Sequence, residues 1–490
     1  MRTRAINLFL AVLLAGPAWS GQAPGPSSAP DVPISHRDRV YAAEQFSNTV
    51  SVTDPASGQL LGVIRLGDPQ PGNLSPLYRG QLLVHGMGFS PDHRTLVVVA
   101  IGTNAVIFID TASNRVRHIT YVGRAPHEAF FTPDGREVWV TVRGENYVDV
   151  LDGHDFVEKT RITVPNGPGM TIFSPDGKYG YVCSSFVPET DVIAVSSHRV
   201  IARVAQASPF CPNIAATPDG RQVWLTLKDT GKTEVFAARP PFNVLTTLST
   251  GPITNHVNIV RNPKGQFAYV TVGGLNEVKV FRTRDFAHVA TIPVGDLPHG
   301  LWPSGDGTRI YVGLENADKL VTIDTMTNRV IAESPLGQGP QALTYVPDAV
   351  PDGRAVNLQP LGLAGMTVHL ALAPPRQHGG RPPTSVALFD QGLSQVLEAS
   401  VTGLAPKQAY LLALSTRADG GGSLEILARF TTNPAGAAIV NAVGPIRQIV
   451  QDEAGSSRRY LVISSGAAGA RPLQVQVVNE SGPVERAKGE

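Results

Sequence analysis

Thr132-Pro133-Asp134-Gly135-Arg136-Glu137-Val138-Trp139-Val140-Thr141-Val142 decides the fold. Proline presets φ for a turn, aspartate suits the next turn position and glycine permits positive φ. The β-branched and aromatic run from Val138 to Val142 then reads as a strand. Working outward, Gly144-Glu145-Asn146 turns the chain into Tyr147-Val148-Asp149-Val150-Leu151, and after Asp152-Gly153 residues 156–164 form another extended run. Residues 128–132 supply a strand ahead of the first turn. Named A to D, with A nearest a central axis, these four strands make a sheet that cannot bury both faces alone. Such units must stack on one another.

The turn recurs. Ser90-Pro91-Asp92-His93, Ser174-Pro175-Asp176-Gly177, Thr217-Pro218-Asp219-Gly220 and Asn262-Pro263-Lys264-Gly265 repeat it, and Ser304-Gly305-Asp306-Gly307 and Val346-Pro347-Asp348 complete the set. Their second residues, 91, 133, 175, 218, 263, 305 and 347, step by 42, 42, 43, 45, 42 and 42. A period in the low forties with four short strands per unit marks a propeller blade. The first stretch (40–43, 49–53, 60–66) supplies B, C and D without an A, and residues 341–345 supply an A with nothing after it. One blade built from both chain ends closes the ring and removes its open edges. The sequence therefore predicts an all-β protein with a seven-bladed β-propeller over 38–350.

Within these repeats, Ala268-Tyr269-Val270-Thr271, with Asn276-Glu277-Val278-Lys279-Val280 after it, resembles the YVTN-type β-propeller repeat. Looser copies stand at Trp139-Val140-Thr141, Tyr181-Val182-Cys183, Trp224-Leu225-Thr226 and Tyr311-Val312-Gly313. The resemblance covers about two thirds of the chain. It implies a propeller that is exported or surface-held, in a family mostly without assigned activity. More distant seven-bladed relatives include nitrous-oxide reductase, with a histidine-bound copper cluster, and sugar lactonases; the haem d1 proteins are an eight-bladed cousin.

Composition narrows the function classes. The 490 residues carry 41 Lys+Arg against 40 Asp+Glu, and removal of Arg2 and Arg4 with a leader would bring +1 to −1. No global field recruits nucleic acid or an acidic membrane surface. Arg2 and Arg4 precede an apolar run from Ile6 to Ala15, and Ala18-Trp19-Ser20 offers a cleavage site, so residues 1–20 read as a signal peptide. The run is too short for a membrane span. Proline-rich residues 21–37 read as a disordered lead-in, and the protein as exported, periplasmic or secreted. Beyond Val350-Pro351-Asp352-Gly353 the repeat stops, and eight short alternating runs between 367 and 478 predict a C-terminal β-sandwich over 355–480. Residues 481–490 read as a disordered tail. The second domain shows no catalytic motif and no cysteine, and is expected to dock or to act as a spacer.

Chemistry is expected where D-to-A segments open onto the channel. Six residues before the repeated turn position stand His85, His127 and His299, and His256 is seven before Pro263. Four of the twelve histidines thus share one structural slot. Imidazoles converging there would suit copper or zinc and, less readily, non-covalent haem; the bland alternative is a polar ring whose imidazoles donate to the next blade's carbonyls. Met170, Cys211 and Gln341 occupy that neighbourhood in other blades, while B-to-C turns add Arg143, Glu145, Lys228, Asp229 and Glu315. Of these, Arg143, Lys228, Met170 and Gln341 are the candidate ligand contacts at the mouth. Cys183 ends one strand B and Cys211 opens the next blade's A, so a disulfide is the first reading in an oxidising compartment, with Cys211 as a thiolate ligand and two free thiols as alternatives. No P-loop, dinucleotide glycine motif, Gly-x-Ser-x-Gly, His-Glu-x-x-His or Cys-x-x-Cys-His is present. The leading expectation is a non-enzymatic exported protein that offers a histidine-lined mouth to a metal, a cofactor, a small ligand or a protein partner. An enzyme using the same channel (metal-dependent oxidoreductase or lactonase) and a structural adhesion protein are the other two.

Overall fold

The computed structural model describes residues 33–67, 82–375, 377, 379–390, 395–444, 446, 450, 458–465 and 471–478. The signal peptide 1–20, the lead-in up to residue 32 and the tail 481–490 lie outside the described residues. Seven four-stranded antiparallel sheets form the propeller. In the blade that follows Val122, Pro126–Phe131, Glu137–Val142, Tyr147–Asp152 and Glu158–Thr163 are strands A to D. Strand A is buried throughout, whereas D is exposed at all but one position.

The turn between A and B forms as its residues dictate. Thr132 Oγ1 donates to Asp134 Oδ1 (2.7 Å), the Gly135 N–H donates to the Thr132 carbonyl (2.8 Å), and Gly135 takes φ +71°. Ser174 with Asp176, Thr217 with Asp219 and Ser304 with Asp306 repeat the side-chain bond at 2.6–2.7 Å. Blades meet through large side chains: Trp139 is buried and lies edge-on to Phe173 of the next blade, ring centroids 5.0 Å apart. Gly180 permits that approach, because a Cβ there would stand 2.5 Å from the Trp139 ring.

Both ends of the ring share one sheet. Pro340–Val346 pairs antiparallel with Arg39–Glu44, which continues into Thr49–Asp54 and Gln59–Arg65. Residues 35–37, assigned by sequence to the lead-in, fold as a turn against this seam. The His36 carbonyl accepts from buried Arg39 (2.7 Å), and next to it Tyr345 Oη donates to Asp38 (2.6 Å).

The C-terminal domain is one eight-stranded antiparallel sheet, running Leu424–Thr431, Ala409–Ser415, Tyr460–Ser464, Gln474–Gln476, Thr367–Ala373, Thr384–Asp390, Gln395–Val401, Ala438–Gly444. Its end strands are neighbours in the chain, so the sheet curls nearly closed, a sandwich-like barrel around Leu372, Leu388, Leu397, Leu412 and Ile463. The connection reaches it along the first blade, where Gln359 and Val63 exchange backbone hydrogen bonds (2.8 and 2.9 Å). Gly62 makes room: its φ is +142°, and a Cβ there would meet the Gln359 carbonyl at 2.7 Å. No helix among the described residues is long and apolar enough to cross a membrane.

The domain sits on the propeller face that carries the D-to-A and B-to-C connections. Phe46 stacks on Phe389 (4.2 Å), Asn316 Nδ2 donates to Ser385 Oγ (3.1 Å), Arg381 donates to the Asn276 carbonyl (2.9 Å), and Ile253 and Leu297 pack on Ala437 and Ile439.

Candidate functional site

The histidine slot is made by a repeated irregularity. Strand A and strand B shift register between Pro126 and Glu128, and again between Val84 and Met87, Thr254 and Val257, and Pro298 and Leu301. A bulge re-aims the residue it carries, and here His127, His85, His256 and His299 fall inside these shifts. The rings form a chain: His127 to His85 4.4 Å, His85 to His299 6.3 Å, His299 to His256 4.7 Å between centroids. All four are buried. Nδ1 of His127 bonds the Gly169 carbonyl (2.8 Å) and Nδ1 of His299 the Gln341 carbonyl (2.6 Å), each on the following blade. The rings lean on one another in a polar lining. Among the described residues no group of three or more His, Cys, Asp or Glu side chains is arranged to hold a metal ion.

Burial holds these imidazoles neutral. His85 is pushed down to about 3 by desolvation and then by the charges of Arg143 and Lys228, and His256 to about 3 by desolvation, His85 and Lys228. His127 and His299 lie well below the ordinary imidazole value for the same first reason. A neutral ring can donate from one nitrogen and accept at the other. The slot therefore offers hydrogen bonds without charge.

Above the ring, both domains line a half-open chamber of about 500 Å³. The propeller contributes His85, His127, His299, Arg143, Lys228, Asp229, Glu315 and Gln341; the C-terminal sheet contributes Glu398, Thr431, Asn433, Ile439 and Asn441. Glu315 and Glu398, one from each domain, are both buried and within electrostatic reach of each other, and Glu315 Oε2 and Glu398 Oε1 have no hydrogen-bond partner among the described residues. Burial raises the Glu398 carboxyl well above the usual range and the nearby Glu315 carboxylate raises it further; Glu315 is raised by burial and partly restrained by Lys228. Two buried carboxylates whose charges interact this closely cannot both ionise cheaply, so the pair retains a proton. Gln341 Nε2 donates to Glu315 Oε1, tying the pair to the slot.

Of the candidate mouth contacts, Arg143, Lys228 and Gln341 line the chamber. Met170 does not. It is buried in the blade core, and Gly169 takes the slot position, because neighbouring strand residues face opposite ways. His256 lies tilted against His299 and does not line the chamber wall. Glu145 pairs at the surface with Arg124 (2.8 Å). Cys183 and Cys211 are joined as a disulfide beside the chamber, Cα atoms 6.0 Å apart. Sequence reasoning, which expected the second domain to dock or to act as a spacer, missed its residues at the chamber, above all Glu398. It also missed Phe186 and Phe210, whose rings lie 5.5 and 5.3 Å from the Arg143 guanidinium.

No family model matches the chain. No curated protein matches it either. Among solved structures the chain is similar to hydrazine synthase of Kuenenia stuttgartiensis, at 20% identity over 53% of this chain and 88% of that one, TM-score 0.47. It is also similar to a functionally unknown protein of Desulfotomaculum acetoxidans, at 14% identity over 63% of this chain and 98% of that one, TM-score 0.53. The second likeness bears on the propeller fold alone, and no activity follows from either.

Proposed function

We propose that the protein is exported and acts as a binding protein, enclosing a small ligand between the histidine-lined propeller mouth and the C-terminal sheet. One observation carries this reading: the chamber of about 500 Å³ takes its polar wall from both domains. That volume lies within the usual range for small-molecule sites, and domain junctions are where such sites concentrate. Neutral imidazoles, two amides and a proton-sharing carboxyl pair can satisfy a polar ligand. The leader-like residues 1–20 and the oxidised cysteine pair support export.

Native mass spectrometry of protein from the exported fraction tests both parts. A small molecule should leave on denaturation, and Asn441→Trp, which fills the chamber from the roof, should prevent its retention with the propeller still folded. Removal of residues 1–20 should hold the chain in the cytoplasm. An Asn441→Trp variant that retains the same molecule, or protein that carries none, defeats the chamber reading.

A further inference from the structure

Arg143 leaves strand Glu137–Val142 at its B-to-C turn, and Lys228 leaves Gln222–Leu227 at the same point two blades on. Both reach one aromatic ring. The Arg143 guanidinium lies 5.3 Å and the Lys228 ammonium 5.7 Å from the Phe210 centroid, and Phe186 covers Arg143 at 5.5 Å. Aromatic faces attract cations, and stacking pre-orients the planar guanidinium fork. Two cations on one ring nevertheless repel each other. Lys228 has Glu315, Glu398 and Asp229 within electrostatic reach. Arg143 is different: among the described residues it makes no ion pair, and its Nε is buried without a hydrogen-bond partner. The imidazoles beside it are neutral and supply no counter-charge.

We propose that the chamber selects a ligand carrying an anionic group, a carboxylate or a phosphate, seated between Arg143 and Lys228 at the edge of Phe210, with its polar remainder under Glu398, Asn433 and Asn441. The proposal rests on the chamber reading and adds the ligand's class. Arginine recognises planar carboxylates and phosphates through paired N–H donors, and lysine adds a point charge. Bringing in an anion would give the Arg143 guanidinium a counter-charge and offset the repulsion between the two cations. The proton-sharing carboxyl pair can both donate to and accept from a ligand hydroxyl, as can the roof amides. The site thus has a charged end and a neutral hydrogen-bonding end, which favours a hydroxylated acid or a phosphorylated polyol over a purely apolar molecule.

Calorimetric titration of the full chain with inorganic phosphate, gluconate and glucose tests the class. At least one anion should bind with unit stoichiometry, more weakly as salt rises, and at least tenfold more tightly than glucose. Arg143→Gln and Lys228→Met should each weaken that anion tenfold or more, and Arg143→Lys should recover only part of the loss. Preference between phosphate and gluconate identifies which anionic group fits. Anion affinity unchanged in both charge-removing variants overturns the proposal, and the second variant keeps the test decisive should the first misfold. Glucose binding without anion binding overturns the anion class and leaves the chamber reading standing. The anion class also falls, with the chamber reading intact, if no probe binds while a co-purified molecule is still retained; no probe and no retained molecule sinks both.

Discussion

Glu398→Gln removes the ionisable half of the contact between roof and ring, and its effect has a definite sign. The Glu398 carboxyl is raised by burial and by Glu315, so the folded protein keeps a proton that the unfolded chain releases above a pKa of about 4.3. A group raised in this way contributes stability that is complete below about pH 4.3 and is lost as pH rises towards its folded value. One retained proton corresponds to about 1.4 kcal/mol per pH unit. The neutral histidines act oppositely. Their depressed values, about 3 for His85 and His256, mean that stability is lost as pH falls below about 6.5. Other raised carboxyls, such as Glu44 at about 8 and Asp318 at about 7, share the sign of Glu398. Only a difference measurement isolates the pair. Glutamine fits the space, carries no proton to lose, and can donate to a Glu315 carboxylate. Urea unfolding of wild type and Glu398→Gln at half-unit steps from about pH 5 to 9 supplies the assay. The variant should gain on wild type by about 1.4 kcal/mol per pH unit from about pH 5 upward, levelling where Glu398 ionises in the folded state. A difference that stays flat across this range would show that no proton is held between Glu315 and Glu398, and the account of the domain contact would fall with it.

Non-reducing peptide mapping should recover Cys183 linked to Cys211, and the double serine variant should lose roughly 3–4 kcal/mol, the chain-entropy value for a 28-residue separation; two alkylatable thiols in native protein would contradict it. Zinc or copper titrated into metal-free protein should find no stoichiometric site that depends on His85, His127, His256 and His299, since no three of these side chains stand as ligands; an affinity abolished by any one alanine substitution, with the fold unchanged, would restore the metal reading.

The seven blades were legible because a repeat states the same local physics again and again. A Thr-x-Asp-Gly turn before residues 138–142 means the same thing wherever it recurs, and the spacing adds up to a ring. The eight C-terminal strands were legible from alternation alone, although alternation does not say whether they form two sheets or one curled sheet. Reading the slot was less even. Arg143, Lys228 and Gln341 were found because they sit at fixed offsets from a turn. Met170 was misplaced because a strand reverses the facing of each successive residue, so an offset of one moves a side chain from channel to core. His256 lies in the blade with the longest spacing, where the offset no longer transfers. Glu398, Asn433 and Asn441 left no trace, because docking one domain on another brings together residues with no common period.

Closure of the ring also has a temporal side. Val40 pairs with Tyr345, so the seam joins residues about 300 apart, whereas the A–B hairpin of an ordinary blade joins residues about ten apart. Loop-closure entropy makes that last contact about 3 kcal/mol harder to nucleate than a blade hairpin, and non-local pairings of this kind form late. Six blades can therefore assemble as the chain emerges while the seventh waits for its final strand. The connecting segment at Gln359 follows that strand in the chain and pairs with Val63 of the same blade, so the roof arrives only after the seam is made. A chain stopped short of residue 340 would accordingly lack the roof of the proposed chamber, although it would retain all four histidines. The proposed chamber is thus completed last, after the seam has closed and the C-terminal sheet has docked.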